Sequence, residues 1–338
     1  MDCVILAAGK GTRMSSSIPK VLHEIQGRSL IEHLLYSIDP LELGKVVVVV
    51  GYGREKIEER LKNWEVEFTV QEKQKGTAHA LQQAKGKIED DSFLVFPGDL
   101  PLIKTSSIES FINSPGEDNH SLTLLTVNRD DPGGYGRIKR DTKGNLEEIV
   151  EEQDANKEER KIKEINTGIY LIPNTDYLWN QLDSINSSNA QGELYLTDLV
   201  KLFSRDGAEV SAKTFSSPEE FLGVNTRKDL IEAGQILNKR KINSLLSSGV
   251  TVKDPRTTTI ETGVEIGRDT VVEPFTLLKG NTTIGENSQI GPNAEIINGT
   301  IGEEVKISHS LVRGSTVQDK TKVKPFRHLG PNQIVNST

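Results

Sequence analysis

The sequence predicts an α/β domain with a mostly parallel sheet, followed by a helix and a short parallel β-helix. Apolar runs at 4–8, 46–50, 68–70 and 93–96 alternate with helical patterns at 30–38, 55–61 and 77–84. Strands that are continuous aliphatic runs are typical of parallel sheets with helices on both faces. Ligands of such sheets bind beyond the carboxyl ends of the strands.

A six-residue repeat predicts the β-helix, in which each hexapeptide supplies one strand of a triangular coil. An aliphatic residue recurs at Ile260, Ile266, Val272, Leu278, Ile284, Ile290 and Ile296. A small or aliphatic residue stands two positions earlier, at Thr258, Val264, Thr270, Thr276, Thr282, Ser288 and Ala294. The register then shifts by one at Ile301 and Ile307 and fades through Val317 and Val323, which predicts about four coils.

A chain of 338 residues favours two domains. We predict a first domain over 1–225, a linker helix over 226–249, the β-helix over 250–330 and a tail over 331–338. Within the first domain, shorter strand signals between residues 122 and 172, with turns at 133–136 and 143–145, predict an antiparallel insertion that covers the ligand side of the sheet. Further helices are predicted at 177–182 and 196–204.

Composition excludes several classes of partner. The 49 acidic residues outnumber the 41 basic ones, and the basic residues form no block, which argues against nucleic acid. The longest aliphatic run is 46–50 and no basic leader precedes the first strand, so we expect a cytoplasmic protein without a membrane segment. The single cysteine, Cys3, excludes an internal disulfide, and the six histidines lack metal-ligand spacing.

A glycine-rich turn follows the first apolar run. Gly9 and Gly11 allow backbone amides to approach an anion, and Lys10, Arg13 and Lys20 add positive charge. The spacing is neither that of a P-loop nor that of a dinucleotide fingerprint, which needs a third glycine where Met14 stands. The cations favour a phosphate site, and for the glycines alone a plain structural turn is the alternative.

Two other strand ends carry polar candidates. Asp99 follows the run FLVFPGD, so its carboxylate should reach the cleft and could bind Mg²⁺, with an exposed turn aspartate as the alternative. In QEKQKGTAHA, the amide of Gln71 beside Gly76 and Thr77 suits the edge of a nucleobase, although the same residues could form an ordinary turn and helix cap. We interpret His79 as a residue of the helix face.

Together, these motifs resemble one family, the bacterial N-acetylglucosamine-1-phosphate uridyltransferases, which form the pyrophosphorylase half of a bifunctional enzyme that also acetylates glucosamine-1-phosphate. The motifs occur in the order LAAGKGTRM with PKVLH, QEKQKGTAHA, GDLPLI, GYGRI, IVEEQDA, EINTGIY, NAQGELYLTD and GVNTR. The resemblance extends to about residue 249 and into the first coils. It implies a Rossmann-like nucleotidyltransferase domain and a left-handed β-helix.

The resemblance also implies roles for single residues. Arg13 and Lys20 match the catalytic cations that meet the triphosphate of UTP, while Asp99 and Asn225 match the Mg²⁺ ligands. The residues that match nucleotide contacts, with the last three selecting uracil, are Leu6, Ala7, Ala8, Gly9, Gln71, Gly76 and Thr77. Those that match contacts to the sugar of N-acetylglucosamine 1-phosphate are Gly98, Gly136, Glu151, Asn166 and Asn225.

The chain departs from the family pattern in two places. Pro97 stands where an aromatic residue commonly precedes Gly-Asp, a difference that leaves Asp99 unchanged. The β-helix has roughly half the family's length, and the later coils carry the acetyl-transfer residues. We therefore expect no acetyltransferase activity unless the sequence is a fragment. The resemblance implies a homotrimer through the β-helix, with a simple capping role as the alternative.

Two other functions stay open. The same chemistry could act on another hexose-1-phosphate, such as N-acetylgalactosamine-1-phosphate or glucose-1-phosphate, with UTP or dTTP. Alternatively, the chain could be a non-catalytic scaffold or sensor that binds nucleotide sugars. A relative without catalytic activity would be expected to lack Arg13, Lys20, Asp99 or Asn225, and all four are present.

Overall fold

A computed structural model describes residues 1–113 and 121–336, which fall into two compact units. The first unit comprises Met1–His23 and Ser29–Asp229, and the second comprises Glu24–Arg28 and Leu230–Thr338. The segment Glu24–Arg28 joins the second unit although it lies far from it in sequence, which no local pattern in the chain indicates. Within the described residues, no helix is long and apolar enough to cross a membrane.

Strands and helices alternate along the first part of the chain, as the hydrophobic pattern predicts. The strands are β1 Asp2–Leu6, β2 Glu24–Ile25, β3 Arg28–Ser29, β4 Val46–Val50, β5 Glu67–Val70, β6 Ser92–Pro97, β7 Leu122–Asn128, β8 Arg137–Arg140, β9 Leu146–Val150, β10 Glu164–Pro173 and β11 Val210–Phe215. The helices are α1 Leu30–Ile38, α2 Arg54–Leu61, α3 Thr77–Gln82, α4 Thr105–Ile112, α5 Asp176–Ser184, α6 Asp198–Arg205 and α7 Arg227–Ser247. Helix α4 was not predicted from the sequence.

The main sheet of the first unit has the strand order β11-β7-β10-β6-β1-β4-β5. The half formed by β6, β1, β4 and β5 is parallel, which confirms the predicted Rossmann-like sheet. The other half is mixed, because β10 pairs antiparallel with both β6 and β7. The predicted antiparallel insertion is therefore not a separate cover: β7 and β10 are integral strands of the main sheet, and only β8 and β9 form an attached hairpin.

The parallel strands are buried on both faces because helices pack on each side. Val47 and Val49 lie in one core cluster, whereas the alternate residues Val48 and Val50 lie in the other. Side chains of a strand point alternately to opposite faces, so two buried faces require an uninterrupted aliphatic run. This arrangement leaves only the strand ends available for polar chemistry.

The second unit contains the predicted parallel β-helix. Its strands are β12 Thr251–Val252, β13 Thr259–Ile260, β14 Glu265–Ile266, β15 Val271–Val272, β16 Leu277–Lys279, β17 Thr283–Ile284, β18 Gln289–Ile290, β19 Glu295–Ile297, β20 Thr300–Ile301, β21 Lys306–Ile307, β22 Leu311–Arg313, β23 Thr316–Val317, β24 His328–Leu329 and β25 Ile334–Val335. They form three parallel sheets, with the orders β12-β15-β18-β21, β13-β16-β19-β22-β24 and β14-β17-β20-β23-β25.

The β-helix is longer than the sequence analysis predicted. Two of its sheets have 5 strands, and a further bridge from Lys306 to Lys322 extends the third, so there are about five coils instead of four. The predicted tail contains β25, which pairs with β23, while residues 337 and 338 lie outside the described part of the chain. The spacing of the inward aliphatic residues shortens from six to five at Ile301, Val312 and Val317, which hid the repeat. The six-residue spacing returns at Val323 and Leu329, and the backbone ladder continues throughout.

We expect the inward positions of the β-helix to dominate its stability. Replacing the fully buried Ile307 with Ala should lower the free energy of unfolding by about 2–5 kcal/mol, because a buried cavity remains. The neighbouring Lys306→Ala change, at an exposed position of the same strand, should alter it by about 0.5 kcal/mol or less. Chemical denaturation followed by circular dichroism would compare the two variants, and equal losses would contradict an inward-facing core at Ile307.

Candidate active site

The carboxyl ends of four parallel strands meet at one edge of the sheet in the first unit. Beyond them lie the loop after β1, Gln71 after β5 and Asp99 after β6. Two adjoining cavities of about 480 and 200 Å³ open at this edge. Asp99, Asn225, Leu6, Thr77 and Pro97 line both cavities and so form their common wall.

Every residue that the sequence analysis assigned to a site lines one of the two cavities. The larger cavity contains the predicted nucleotide and catalytic residues, namely Leu6, Ala7, Ala8, Gly9, Arg13, Lys20, Gln71, Gly76 and Thr77, together with Gly98. The smaller cavity contains the predicted sugar residues Gly136, Glu151 and Asn166. The roles of these residues stay predictions, but their placement brings together segments that are far apart in the chain.

Two cations, Lys20 and Arg13, meet two side-chain oxygen groups, those of Asp99 and Asn225, at the common wall. The Lys20 ammonium pairs with the Asp99 carboxylate and donates to the Asn225 side-chain oxygen at 3.1 Å. Arg13 Nη2 donates to the same oxygen at 2.9 Å. Asp99 is only 7% exposed, so the charge of its carboxylate must be compensated, and Lys20 supplies the compensation.

Hydrogen bonds to the Asp229 side chain hold Asn225 in position, and close packing against Lys20 holds the glycine loop. Asp229 Oδ2 accepts from the backbone amides of Asn225 at 2.9 Å and Thr226 at 2.8 Å, at the start of α7. Gly11 adopts a φ of 64°, and a Cβ there would lie 2.6 Å from Lys20 Cβ. Glycine is therefore needed where the loop turns back past Lys20.

The start of α3 is built around Gly76, whose φ is +114°. A Cβ at this position would lie 2.4 Å from the carbonyl oxygen of Leu194, so the backbone of the 186–196 segment packs directly against it. The same segment holds Thr77, because Leu196 N–H donates to Thr77 Oγ1 at 3.0 Å. Close packing of two backbones, as well as the positive φ, explains the glycine.

The smaller cavity presents amides and a carboxyl group. Asn166 Nδ2 donates to the Tyr170 hydroxyl at 2.6 Å, and the Asn166 backbone N–H donates to Gly136 O at 2.9 Å. Thr197 Oγ1 donates to Glu151 Oε1 at 3.0 Å. Burial raises the pKa of Glu151, and the charge of Asp154 raises it further, against the effect of the Thr197 hydrogen bond.

Comparison with known proteins tests the predicted family. A family model described as a MobA-like NTP transferase domain matches residues 3–164. The chain is 41% identical over 332 residues to the bifunctional protein GlmU of Syntrophomonas wolfei, covering 98% of this chain and 74% of that protein. It is 42% identical to the GlmU proteins of Listeria welshimeri and Geobacillus thermodenitrificans, covering 73% and 72% of their lengths.

The chain belongs to the GlmU family. The inositol-1-phosphate CTP transferase from T. maritima has a similar fold, with a TM-score of 0.56 and 19% identity over 71% of this chain and 96% of that one. These findings confirm the predicted resemblance and the nucleotidyltransferase activity. They do not support the expected lack of acetyltransferase activity, because the GlmU relatives are named bifunctional and match this chain over nearly its whole length.

Further contacts that were not predicted from the sequence lie behind the polar cluster formed by Arg13, Lys20, Asp99 and Asn225. Arg227 Nε donates to the carbonyl oxygen of Met14 at 3.3 Å, and Arg227 Nη1 lies 3.3 Å from His23 Nδ1. These three residues come shortly after Arg13, Lys20 and Asn225 in the chain, so they tie together the three segments that carry the cluster. The signal was present, since Arg227 ends the motif GVNTR, but its partners are distant in sequence. Gln191 and Glu193, which also line the larger cavity, were missed for the same reason.

We expect His23 to make the stability of the chain sensitive to acid. Burial lowers the pKa of His23, Arg227 lowers it further, and Nε2 has no hydrogen-bond partner in the described structure. The native state therefore binds fewer protons than the unfolded chain, and the free energy of unfolding should fall as the pH drops below about 6.5.

Denaturant titrations between about pH 7.5 and about pH 5 would check this expectation, because this range brackets the usual imidazole pKa of about 6.5. His23→Asn, which keeps an acceptor for Arg227 but does not titrate, should lose stability less steeply than the natural chain. The exposed His328→Asn variant should behave like the natural chain. Identical slopes for all three proteins would rule out His23 as a source of the acid sensitivity.

Proposed function

We propose that this chain transfers the uridylyl group of UTP to N-acetyl-α-D-glucosamine 1-phosphate and releases pyrophosphate. The observation that supports this most strongly is the common wall of the two cavities, where Arg13, Lys20, Asp99 and Asn225 converge. A nucleotide in the larger cavity and a sugar phosphate in the smaller one would meet at this wall. The relatives named GlmU support the same reaction.

The wall also suits a divalent cation. The Asp99 carboxylate and the Asn225 side-chain oxygen already converge on one positive charge, the Lys20 ammonium. These are hard oxygen donors, and Mg²⁺ commonly takes only one or two protein ligands and completes its octahedron with phosphate and water. When bound, Mg²⁺ would neutralise phosphate charge, and Asp99 and Asn225 would hold it while Lys20 turns toward the phosphates.

Charge neutralisation and alignment account for the chemistry in this proposal. A phosphate oxygen of the sugar phosphate attacks the α-phosphorus of UTP, and the bond to pyrophosphate breaks on the opposite side. Both reactants are anions, so Arg13 and Lys20 lower the repulsion between them and stabilise the charge that develops on the leaving group. The glycine loop supplies backbone amides, and the rigid strand ends hold both reactants in line.

The smaller cavity favours an N-acetylhexosamine. Asn166 and Glu151 offer an amide and a carboxyl group beside Gly136, where a Cβ would lie 2.7 Å from the Ile149 side chain and 3.5 Å from Glu151 Oε1. Glycine is thus needed at 136 because the Ile149 side chain packs against it, which brings this backbone close to the Glu151 carboxyl group. Glucose-1-phosphate and N-acetylgalactosamine-1-phosphate remain the alternative substrates, and a non-catalytic nucleotide-sugar binder remains the alternative from another class.

Release of pyrophosphate from UTP, N-acetylglucosamine 1-phosphate and Mg²⁺ tests the proposal. The reaction should require the metal and should be fastest with this sugar among the three. Arg13→Ala should lower the turnover about 10²–10³-fold, since a preorganised charge contact is lost. Arg205→Ala, an exposed position on α6, serves as the matched control and should keep the natural rate.

The Asp99→Asn variant separates metal binding from folding. It should raise the Mg²⁺ concentration needed for half-maximal activity while keeping a cooperative unfolding transition, because the amide retains the size of the carboxylate but not its charge. Asp183→Asn, an exposed change on α5, is its control. An absence of pyrophosphate release with every sugar would overturn the catalytic proposal and favour a binding scaffold.

Two further properties stay proposals. Acetylation of glucosamine-1-phosphate from acetyl-CoA should be assayed in the same preparations, because the relatives are named bifunctional. A cytoplasmic location, expected from the sequence, also stays a prediction.

We propose that the β-helix mediates a homotrimer. Phe275 and Phe326 are 63% and 86% exposed and line one outward cavity with His309, Leu277 and Leu311. Exposed aromatic residues of this kind mark interaction surfaces. Sedimentation equilibrium should give three times the chain mass of 37.3 kDa, and Phe326→Ser should shift the mass toward a single chain. A monomer at all concentrations would leave the β-helix a capping role.

A further inference from the structure

Gln71 presents its side-chain amide to the larger cavity in a fixed orientation. The residue is buried, and its backbone N–H donates to Val50 O at 2.8 Å. Its side-chain nitrogen Nε2 lies 3.0 Å from the carbonyl oxygen of Gly76 and 2.9 Å from His79 Nδ1. Both of these neighbours come from the α3 segment, one from the turn before the helix and one from its first turn.

The two neighbours determine which end of the amide faces them. The Gly76 carbonyl can only accept, so the amide nitrogen of Gln71, and not its oxygen, must face this oxygen. The second hydrogen of the same nitrogen is then directed to His79 Nδ1, which must accept and so carries no proton. Both hydrogens of the amide are used, and its oxygen Oε1 is the hydrogen-bonding atom that remains for a ligand.

The surroundings of His79 agree with this arrangement. Burial lowers the pKa of His79, and the charge of Lys75 lowers it further, so the ring is neutral near pH 7. A neutral imidazole has one accepting nitrogen, as the contact to Gln71 requires. The backbone at His79 is fixed as well, because the Gln83 side-chain nitrogen donates to the backbone carbonyl oxygen of His79 at 2.9 Å.

We propose that His79 is a positioning residue that fixes the Gln71 amide so that its oxygen faces the base, and that it thereby contributes to selection of uracil over cytosine. This inference rests on the proposed use of UTP. At ring position 3, uracil carries an N–H donor and cytosine a bare nitrogen. If both bases bind in the same orientation, Gln71 Oε1 would accept a hydrogen bond from the N–H at position 3 of uracil, but would face the lone pair of the position-3 nitrogen of cytosine. A binding site that leaves a polar group without a partner rejects its ligand strongly.

The interpretation of His79 as an ordinary helix-face residue makes a different prediction. If the ring only filled space, any side chain of similar size would serve, and base selection would not depend on an acceptor at this position. The His79→Asn variant tests the difference, because the side-chain oxygen of asparagine is attached to Cγ, as Nδ1 is in histidine. His79→Leu keeps the bulk but removes the acceptor.

Steady-state kinetics of the full chain with UTP and with CTP would decide between the two roles. We expect His79→Leu to raise the KM for UTP about tenfold, the equivalent of one lost hydrogen bond, with kcat changed by about threefold or less. The ratio of kcat/KM for UTP to kcat/KM for CTP should fall by about tenfold, since Gln71 Nε2 then keeps only the Gly76 carbonyl as a partner and the amide turns more readily. His79→Asn should recover most of both parameters.

Two controls keep the proposal falsifiable. The exposed Arg205→Ala variant should match the natural chain in every parameter. Calorimetric binding of UTP and CTP to the full chain does not depend on turnover, so a chain that binds UTP selectively but forms no product would refute the proposed reaction and leave the role of His79 intact. Circular dichroism would confirm that each variant is folded.

A spectroscopic measurement addresses the tautomer directly. In ¹⁵N-labelled protein near pH 7, the His79 ring should show an unprotonated Nδ1 and a protonated Nε2. The proposal is overturned if the proton resides on Nδ1, if His79→Leu keeps the natural preference for UTP over CTP, or if His79→Asn and His79→Leu lose that preference equally.

Discussion

The active-site region depends on a buried carboxylate that must be compensated. Asp99 lies at the end of a strand that is covered on both faces, so water cannot neutralise its charge. Lys20 neutralises that charge, and the Asn225 oxygen accepts from both Lys20 and Arg13. One electrostatic requirement thus brings together segments near residues 13–20, 99 and 225. The same cluster can offer its positive charge to a phosphate and its oxygens to a metal ion.

Rigid backbone packing surrounds this cluster. Gly11 lets the loop turn past Lys20, and Gly76 lets the Leu194 backbone lie against the start of α3. Behind the cluster, Arg227 connects Met14 and His23, so the polar groups are held by a second set of contacts from the same three segments. Reactants that repel each other need such preorganised partners, because groups that had to rearrange during the reaction would stabilise the transition state less.

The second unit follows a different physical rule. Its inward residues repeat every six positions because each coil has three short faces, and the backbone ladders run from coil to coil. Stability in such a structure comes from neighbouring coils, so the ladder continues where the sequence repeat is interrupted. The last coil was underestimated because the spacing shortens to five residues at Val312 and Val317 before the six-residue spacing and the pairing continue into β24 and β25.

The sequence by itself determined the fold class, the family and the list of candidate residues. Each of these follows from a local pattern. Aliphatic runs indicate strands that are buried on two faces, and the hexapeptide repeat indicates a β-helix. Glycines and charged residues at the strand ends indicate the edge of the sheet where a ligand binds. Only the tertiary structure decided that β7 and β10 enter the main sheet, that Lys20 pairs with Asp99, and that His79 holds the Gln71 amide. These features depend on which distant segments meet and on which end of an amide faces an acceptor, and neither leaves a period or a spacing in the sequence.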